Sequence, residues 1–154
     1  MRMLAWNVLT LKKRVVQRLL RKHKCEMVVL LETKLEEITD RMVSRIWHTD
    51  NFAYVFSPSV GKAGGILLVW EKGRFDVTAM TSANRFFVVE GNWVNENWFC
   101  CVMGVYAPCF FEEQCRLWEE IGAIISAKSM PWYVCGDFNM ITNIEEHGGG
   151  SSFS

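Results

Sequence analysis

The chain has 154 residues, and what it is short of narrows its reading first. No apolar stretch approaches the roughly eighteen residues a bilayer span requires, so no membrane partner is expected. No Cys-x-x-Cys pair occurs, and His23, His48 and His147 stand apart from the thiols, except that His23 lies two residues before Cys25. A zinc site wants close Cys and His pairs, so none is expected. Acids are absent from residues 1–25, which hold eight of the seventeen basic residues. Lys and Arg are absent from residues 130–154, which hold three acids. The net charge of zero therefore hides a segregation. The basic N-terminal face suits a polyanion or is an ordinary solvated helix face, and both readings stay open. Seven Lys or Arg between Lys12 and Lys24 follow the first apolar run rather than precede it. That is the wrong order for a signal peptide, so an intracellular, reducing location is expected. Cys25, Cys100, Cys101, Cys109, Cys115 and Cys135 mostly sit in apolar runs and read as buried free thiols. With no internal repeat and no linker, residues 1–154 read as a single domain or part of one.

What is present is a strongly apolar chain, half hydrophobic and 13% aromatic, which argues against disorder. Short apolar runs predict strands over residues 3–9, 27–31, 52–56, 66–70, 75–80, 85–93, 98–106 and 132–135. Thr10 can cap a helix over 12–22, where Val15, Val16, Leu19 and Leu20 form a stripe opposite Arg14, Arg18 and Arg21. Thr33 and Glu36 form a capping-box pattern ahead of Leu35, Ile38, Met42, Val43 and Ile46, which predicts a second helix. A third is predicted over 112–127 with Cys115, Trp118, Ile121 and Ile125 on one face. The closely spaced strands between residues 52 and 106 suggest an antiparallel meander. Two βα units, hairpins and a further αβ unit indicate an α/β fold, a mixed sheet with helices packed on it. The stretch "SPSVGKAGG" reads as a turn, since its glycines lack the spacing of a phosphate-binding loop. The Trp93–Trp98 run could stack on bases, although hairpin packing explains it as easily.

Several strands end on polar residues that the apolar pattern does not require: Asn7, Glu32, Tyr106, Asp137 and, two residues on, Asn139. Strand ends on one edge of an α/β sheet are where sites assemble, because the ladder fixes positions while loops leave them accessible. Two carboxylates, two carboxamides and a phenol form an oxygen and amide set that suits Mg²⁺ rather than zinc. Each residue alone has a plainer reading. Glu32 precedes a capping Thr, and Asp137 with Asn139 can make an Asx turn. As a set on four strand ends, a site is the better account.

The motifs "WN" at 6–7, "LLETK" at 30–34, "VYAP" at 105–108 and "GDFN" at 136–139 resemble, in order, the endonuclease/exonuclease/phosphatase superfamily. More narrowly, "GKAGGILLVW", "GVYAP" and "GDFNMITNIEEHGGG" resemble the apurinic-type endonuclease domain of plant LINE-type retrotransposons. The resemblance implies a Mg²⁺- or Mn²⁺-dependent phosphodiesterase on a two-sheet α/β sandwich. By that likeness Glu32 ligates the metal and Asn7 supports the metal and its water. Asp137 activates the attacking water, Asn139 orients Asp137 or the phosphate, and Tyr106 contacts the phosphate. The implied activity nicks target DNA so that the 3′ end primes reverse transcription, in the nucleus, with weakly specific or non-specific DNA binding.

After Asn7 the chain carries Leu9 and Thr10 where such relatives show a basic residue and a glycine. The family's C-terminal half, with a further Asp and an Asp-His pair, is expected to be missing. The sandwich is then incomplete at its C-terminus, the chain inactive alone, and Val102, Val105 and Val134 short of cover. Expected partners are DNA and the missing half or the reverse transcriptase of a parent element. Two other functions fit the same residues: a phosphatase of the superfamily, and a non-catalytic remnant that binds nucleic acid weakly through Arg14, Arg18, Arg21 and Lys22.

Overall fold

Two four-stranded sheets stacked face to face organise the chain in the computed structural model, which describes residues 1–7, 13–61 and 63–138. In chain order the elements are β1 (Met3–Asn7), α1 (Lys13–Lys22), β2 (Met27–Leu31), α2 (Asp40–Ser44), β3 (Phe52–Val60), β4 (Ala63–Glu71) and β5 (Phe75–Ser82). β6 (Phe86–Trp93), β7 (Trp98–Tyr106), α3 (Phe111–Ser126) and β8 (Trp132–Asp137) complete it. The first sheet has the order β1-β2-β4-β3 and the second β5-β6-β7-β8. β1 pairs parallel with β2 across α1, and β7 pairs parallel with β8 across α3. Each parallel pair needs such a crossover, and the remaining pairs are antiparallel hairpin neighbours or long-range partners.

Strand periodicity divides the core into layers. Met27, Val29 and Leu31 of β2 face inward with Ile66, Leu68 and Trp70 of β4. They meet Phe75, Phe87, Val89, Trp93, Cys100 and Val102 of the second sheet. The alternate residues Val28, Leu30, Leu67 and Val69 face outward onto Val16 and Leu20 of α1 and onto Ile38, Val43 and Trp47. On the far side Leu117 and Ile121 of α3 cover Phe86, Met103 and Val105. The result is a helix–sheet–sheet–helix sandwich. Strands buried on both faces read as unbroken apolar runs, as "MVVLL" does.

Several expectations are corrected. The strands of residues 52–106 do not form one meander, because β3 and β4 belong to the first sheet and β5–β7 to the second. β3 and β4 also run through much of the expected turn, pairing Ser57 with Ile66 and Ser59 with Gly64. Pro58 is tolerated there because β3 is an edge strand and its missing N–H costs no ladder bond. The capping box at Thr33 and Glu36 does not form. Residues 32–39 are irregular, and the short α2 is capped by Thr39, whose Oγ1 accepts from the Met42 N–H at 3.3 Å. Thr33 and Lys34 instead give their N–H groups to β4.

On α3 the buried face is Gln114, Leu117 and Ile121, while Cys115 is exposed. All six cysteines are free, with Cys25, Cys100 and Cys101 buried, Cys135 half-buried and Cys109 exposed. Val102 and Val105 are fully buried, by the inter-sheet core and by α3 respectively, and Val134 alone of the three stays 37% exposed. Among the described residues no helix is long and apolar enough to cross a membrane.

Candidate active site

The ladders bring the candidate residues to one edge of the sandwich. Parallel pairing sets Asn7 at the end of β1 opposite Leu31 at the end of β2, and Glu32 follows directly. Antiparallel pairing of Leu31 with Ile66 brings Gly64 and Gly65, at the start of β4, to the same edge. In the second sheet Tyr106 and Asp137 are partners at the ends of β7 and β8. The pairing of Phe86 with Val105 places Arg85 beside them.

Glu32 is held in an unusual way. Its φ is 58°, and that of Lys34 is 56°, in the left-handed region that costs a residue with a side chain roughly 1–2 kcal/mol. Such a conformation persists where the surroundings over-determine it. Here the Thr33 N–H donates to the Gly65 carbonyl at 3.2 Å and the Lys34 N–H to the Gly64 carbonyl at 2.9 Å. Gly64 and Gly65 have φ of 78° and 88°. A Cβ on Gly65 would collide with Thr33 Oγ1, and one on Gly64 would lie 2.9 Å from Tyr106 Cδ1. The double glycine thus lets the Glu32 segment and the Tyr106 ring close on β4 from two sides. Thr33 Oγ1 and Ser59 Oγ are buried beneath this turn without a hydrogen-bond partner among the described residues.

Tyr106 joins the two sheets. Burial, then a hydrogen bond with the Glu32 side chain, push its phenol up to about 12, and the charges of Glu32, Cys109 and Asp137 add to the effect. The phenol therefore keeps its proton at neutral pH and donates toward Glu32. The Arg85 guanidinium lies 5.9 Å from the centre of the Tyr106 ring and 3.9 Å from Glu113 Oε2. Asp137 is half-buried, and its carbonyl accepts from the Ala107 N–H at 2.8 Å. Phe138 then packs its ring against Trp118 of α3, 5.7 Å between centroids, which anchors the end of β8.

The structure thus pairs Asp137 with Tyr106, hydrogen-bonds Tyr106 to Glu32, and sets Asn7 opposite Leu31, the residue before Glu32. Asn139, together with His147, Leu9, Thr10 and Lys62, lies outside the described residues. Sequence reasoning missed Arg85, Thr33, Ser59 and the scaffolding role of Gly64–Gly65. Adjacent glycines at the start of an apolar run were a signal, whereas nothing in the sequence marks Arg85.

Among the described residues no three His, Cys, Asp or Glu side chains converge. Magnesium asks for less, one or two carboxylates with water completing its shell. Glu32 and Asp137 with the Asn7 carboxamide are hard oxygen donors of that kind, so the donor set fits Mg²⁺ or Mn²⁺.

The Endonuclease/Exonuclease/phosphatase family matches residues 4–146. No curated protein matches the sequence. Among solved structures the chain is similar to the human Nocturnin catalytic domain with bound sulfate, at 16% identity and a TM-score of 0.62 over 91% of this chain and 61% of that one. It is also similar to D. rerio TDP2 complexed with a single-strand DNA product, at 15% identity and a TM-score of 0.64 over 89% and 60%. A Bacteroides thetaiotaomicron mannosyl-6-phosphatase matches at 12% identity and a TM-score of 0.60 over 82% and 56%. The chain therefore spans less than two thirds of the length of these structures. With the two-sheet α/β sandwich and a family match over nearly its whole length, the chain belongs to the endonuclease/exonuclease/phosphatase family.

Proposed function

We propose that the chain carries the metal- and phosphate-binding part of a phosphodiesterase that nicks DNA, of the kind found in plant LINE-type retrotransposons. The observation that carries this reading is the convergence of Glu32 and Asp137 on Tyr106 at one edge. Members of the family generally use divalent metal ions. In this reading Glu32 holds the ion, Asn7 supports it, and Asn139 orients Asp137 or the phosphate. A bound Mg²⁺ or Mn²⁺ supplies Lewis acidity toward a phosphoryl oxygen.

The chain's own residues do the rest. Tyr106 keeps Glu32 in place by donating its one O–H to that carboxylate, and its neutral phenol lies at the phosphate position without adding negative charge there. Asp137 orients the attacking water and takes its proton. Arg85 adds positive charge next to the phosphate position. Turnover in this account needs the further length that the solved relatives have, and the setting is nuclear, beside a reverse transcriptase. The retrotransposon-like motifs and a relative solved with a DNA product favour DNA as substrate.

Plasmid nicking tests the proposal, using the chain extended to the relatives' length with Mg²⁺ and with chelator. The expected result is metal-dependent nicking that Glu32→Gln and Asp137→Asn each reduce by about a hundredfold or more. No nicking by the extended protein, or equal nicking by Asp137→Asn, overturns it. A phosphatase of the same chemistry is the second reading, supported by the mannosyl-6-phosphatase neighbour at a comparable TM-score. Hydrolysis of a sugar phosphate with no cleavage of DNA decides for it.

A further inference from the structure

We propose that Phe110 and Phe111 form a stacking platform for an unpaired nucleobase beside the candidate phosphate site. The inference rests on reading this edge as a nucleic-acid phosphodiesterase site. Among the described residues these are the most exposed large apolar side chains, 72% and 66% open to solvent. They stand four and five residues after Tyr106, Phe110 at the end of the connection from β7 and Phe111 as the first residue of α3.

Their backbone is held firmly. Ala107 and Pro108 are buried, and the Ala107 N–H is bonded to the Asp137 carbonyl. The buried Gln114 side chain donates to the Pro108 carbonyl at 2.8 Å, and its N–H to the Phe110 carbonyl at 2.9 Å. The backbone that carries the rings is therefore held in place, not slack, and little of it has to be ordered on binding.

The position of Phe110 is unfavourable for the fold. It is the N-cap of α3, where Ser, Thr, Asp or Asn would satisfy a free N–H, and it makes no side-chain cap bond. An exposed aromatic where the helix asks for a polar cap, followed by a second in the first turn, is a local conflict of the kind found at functional positions. Aromatic faces next to a cation are what single-stranded nucleic acids use, since every base offers a π-face. Arg85 supplies that cation on the same edge, over the Tyr106 ring.

The neighbouring charges choose the part of the ligand. Glu112 and Glu113 lie in the first turn of α3, directly after the rings. Glu113 Oε2 also lies 3.9 Å from the Arg85 guanidinium, so these acids disfavour a phosphate or an anionic membrane surface beside the rings. The neutral face of a base belongs here, and the phosphate belongs on the Tyr106 side of Arg85.

The test uses the 154-residue protein with fluorescein-labelled oligothymidylate, a duplex of equal length, and vesicles containing phosphatidylinositol 4,5-bisphosphate. Fluorescence anisotropy is read in chelator, so that failure here is separate from failure of the metal-dependent reaction. Phe110→Ala and Phe111→Ala are each expected to weaken single-strand binding about fivefold or more and to leave duplex binding unchanged. Phe110→Trp is expected to restore it. Both rings are in solvent, so the Tm of the variants should equal that of the parent. The proposal is overturned if the parent does not bind the single strand, or if the alanine variants bind it as well as the parent does. It is also overturned if single strand and duplex lose equally, or if the loss appears only with the vesicles.

Discussion

The two candidate carboxylates are held by opposite means. Glu32 sits just beyond its strand, in a left-handed conformation clamped against two glycines of β4. Asp137 sits at the end of β8 within regular parallel pairing to β7. One carboxylate is placed by strain that its neighbours enforce, the other by a ladder that any extended residue satisfies. A site built this way should be brittle on the Glu32 side and tolerant on the Asp137 side.

Gly65→Ala attacks the clamp most directly, because φ of 88° and a collision with Thr33 Oγ1 both oppose a side chain. Left-handed strain and overpacking together are expected to cost about 3 kcal/mol, a Tm fall of roughly 6–12 °C by thermal unfolding. Gly64→Ala presses on the Tyr106 ring, which can shift, and should cost about 2 kcal/mol. If both variants melt with the parent, the clamp is not what holds Glu32.

The sharper contrast is one of sign. In a Tyr106→Phe background, where the Glu32 hydrogen bond is already gone, Glu32→Gly should raise stability by about 0.5–1 kcal/mol by removing left-handed strain. Asp137→Gly should lower it by about 0.5–1 kcal/mol, the ordinary penalty of glycine in a strand. Denaturant midpoints of the same sign would erase the distinction between the two sides.

The smallest effect compares edge and core through the thiols. Burial pushes the Cys100 thiol up to about 11 and raises Cys25 and Cys101 as well, while Cys109 and Cys115 are exposed. The thiolate is the reactive form, so a raised value means slow alkylation at pH 8 and a rate that climbs until the pH passes the thiol's own value. Mass spectrometry after a brief pulse should find Cys109 and Cys115 labelled and the three buried thiols spared. Early labelling of Cys100 would contradict the packed inter-sheet core.

Much of the fold was legible because apolar period and length carry it. The strand over residues 98–106 matches β7, and α1 and α3 lie within a residue of the expected bounds. What stayed hidden depends on tertiary partners. The apolar positions Leu35, Ile38 and Val43 have helical spacing, yet the segment before Asp40 is irregular, since the N–H groups of Thr33 and Lys34 are used by β4. The division of the hairpins between two sheets has no local signature either. At the site, the residue types of Asn7, Glu32, Tyr106 and Asp137 were visible. The left-handed turn at Glu32 was not, because a non-glycine φ above zero follows from its surroundings and not from its own side chain.

The central claim is that Glu32, supported by Asn7, holds a divalent cation on this edge, with Asp137 close enough to act on water beside it. Titration of the isotope-labelled protein with Mn²⁺, followed by paramagnetic broadening of backbone amide resonances, tests it most directly. The account predicts broadening first at residues 7, 32 and 137 and at the adjacent Gly64–Gly65, abolished by Glu32→Gln. Broadening that starts elsewhere, or that survives Glu32→Gln unchanged, would contradict it.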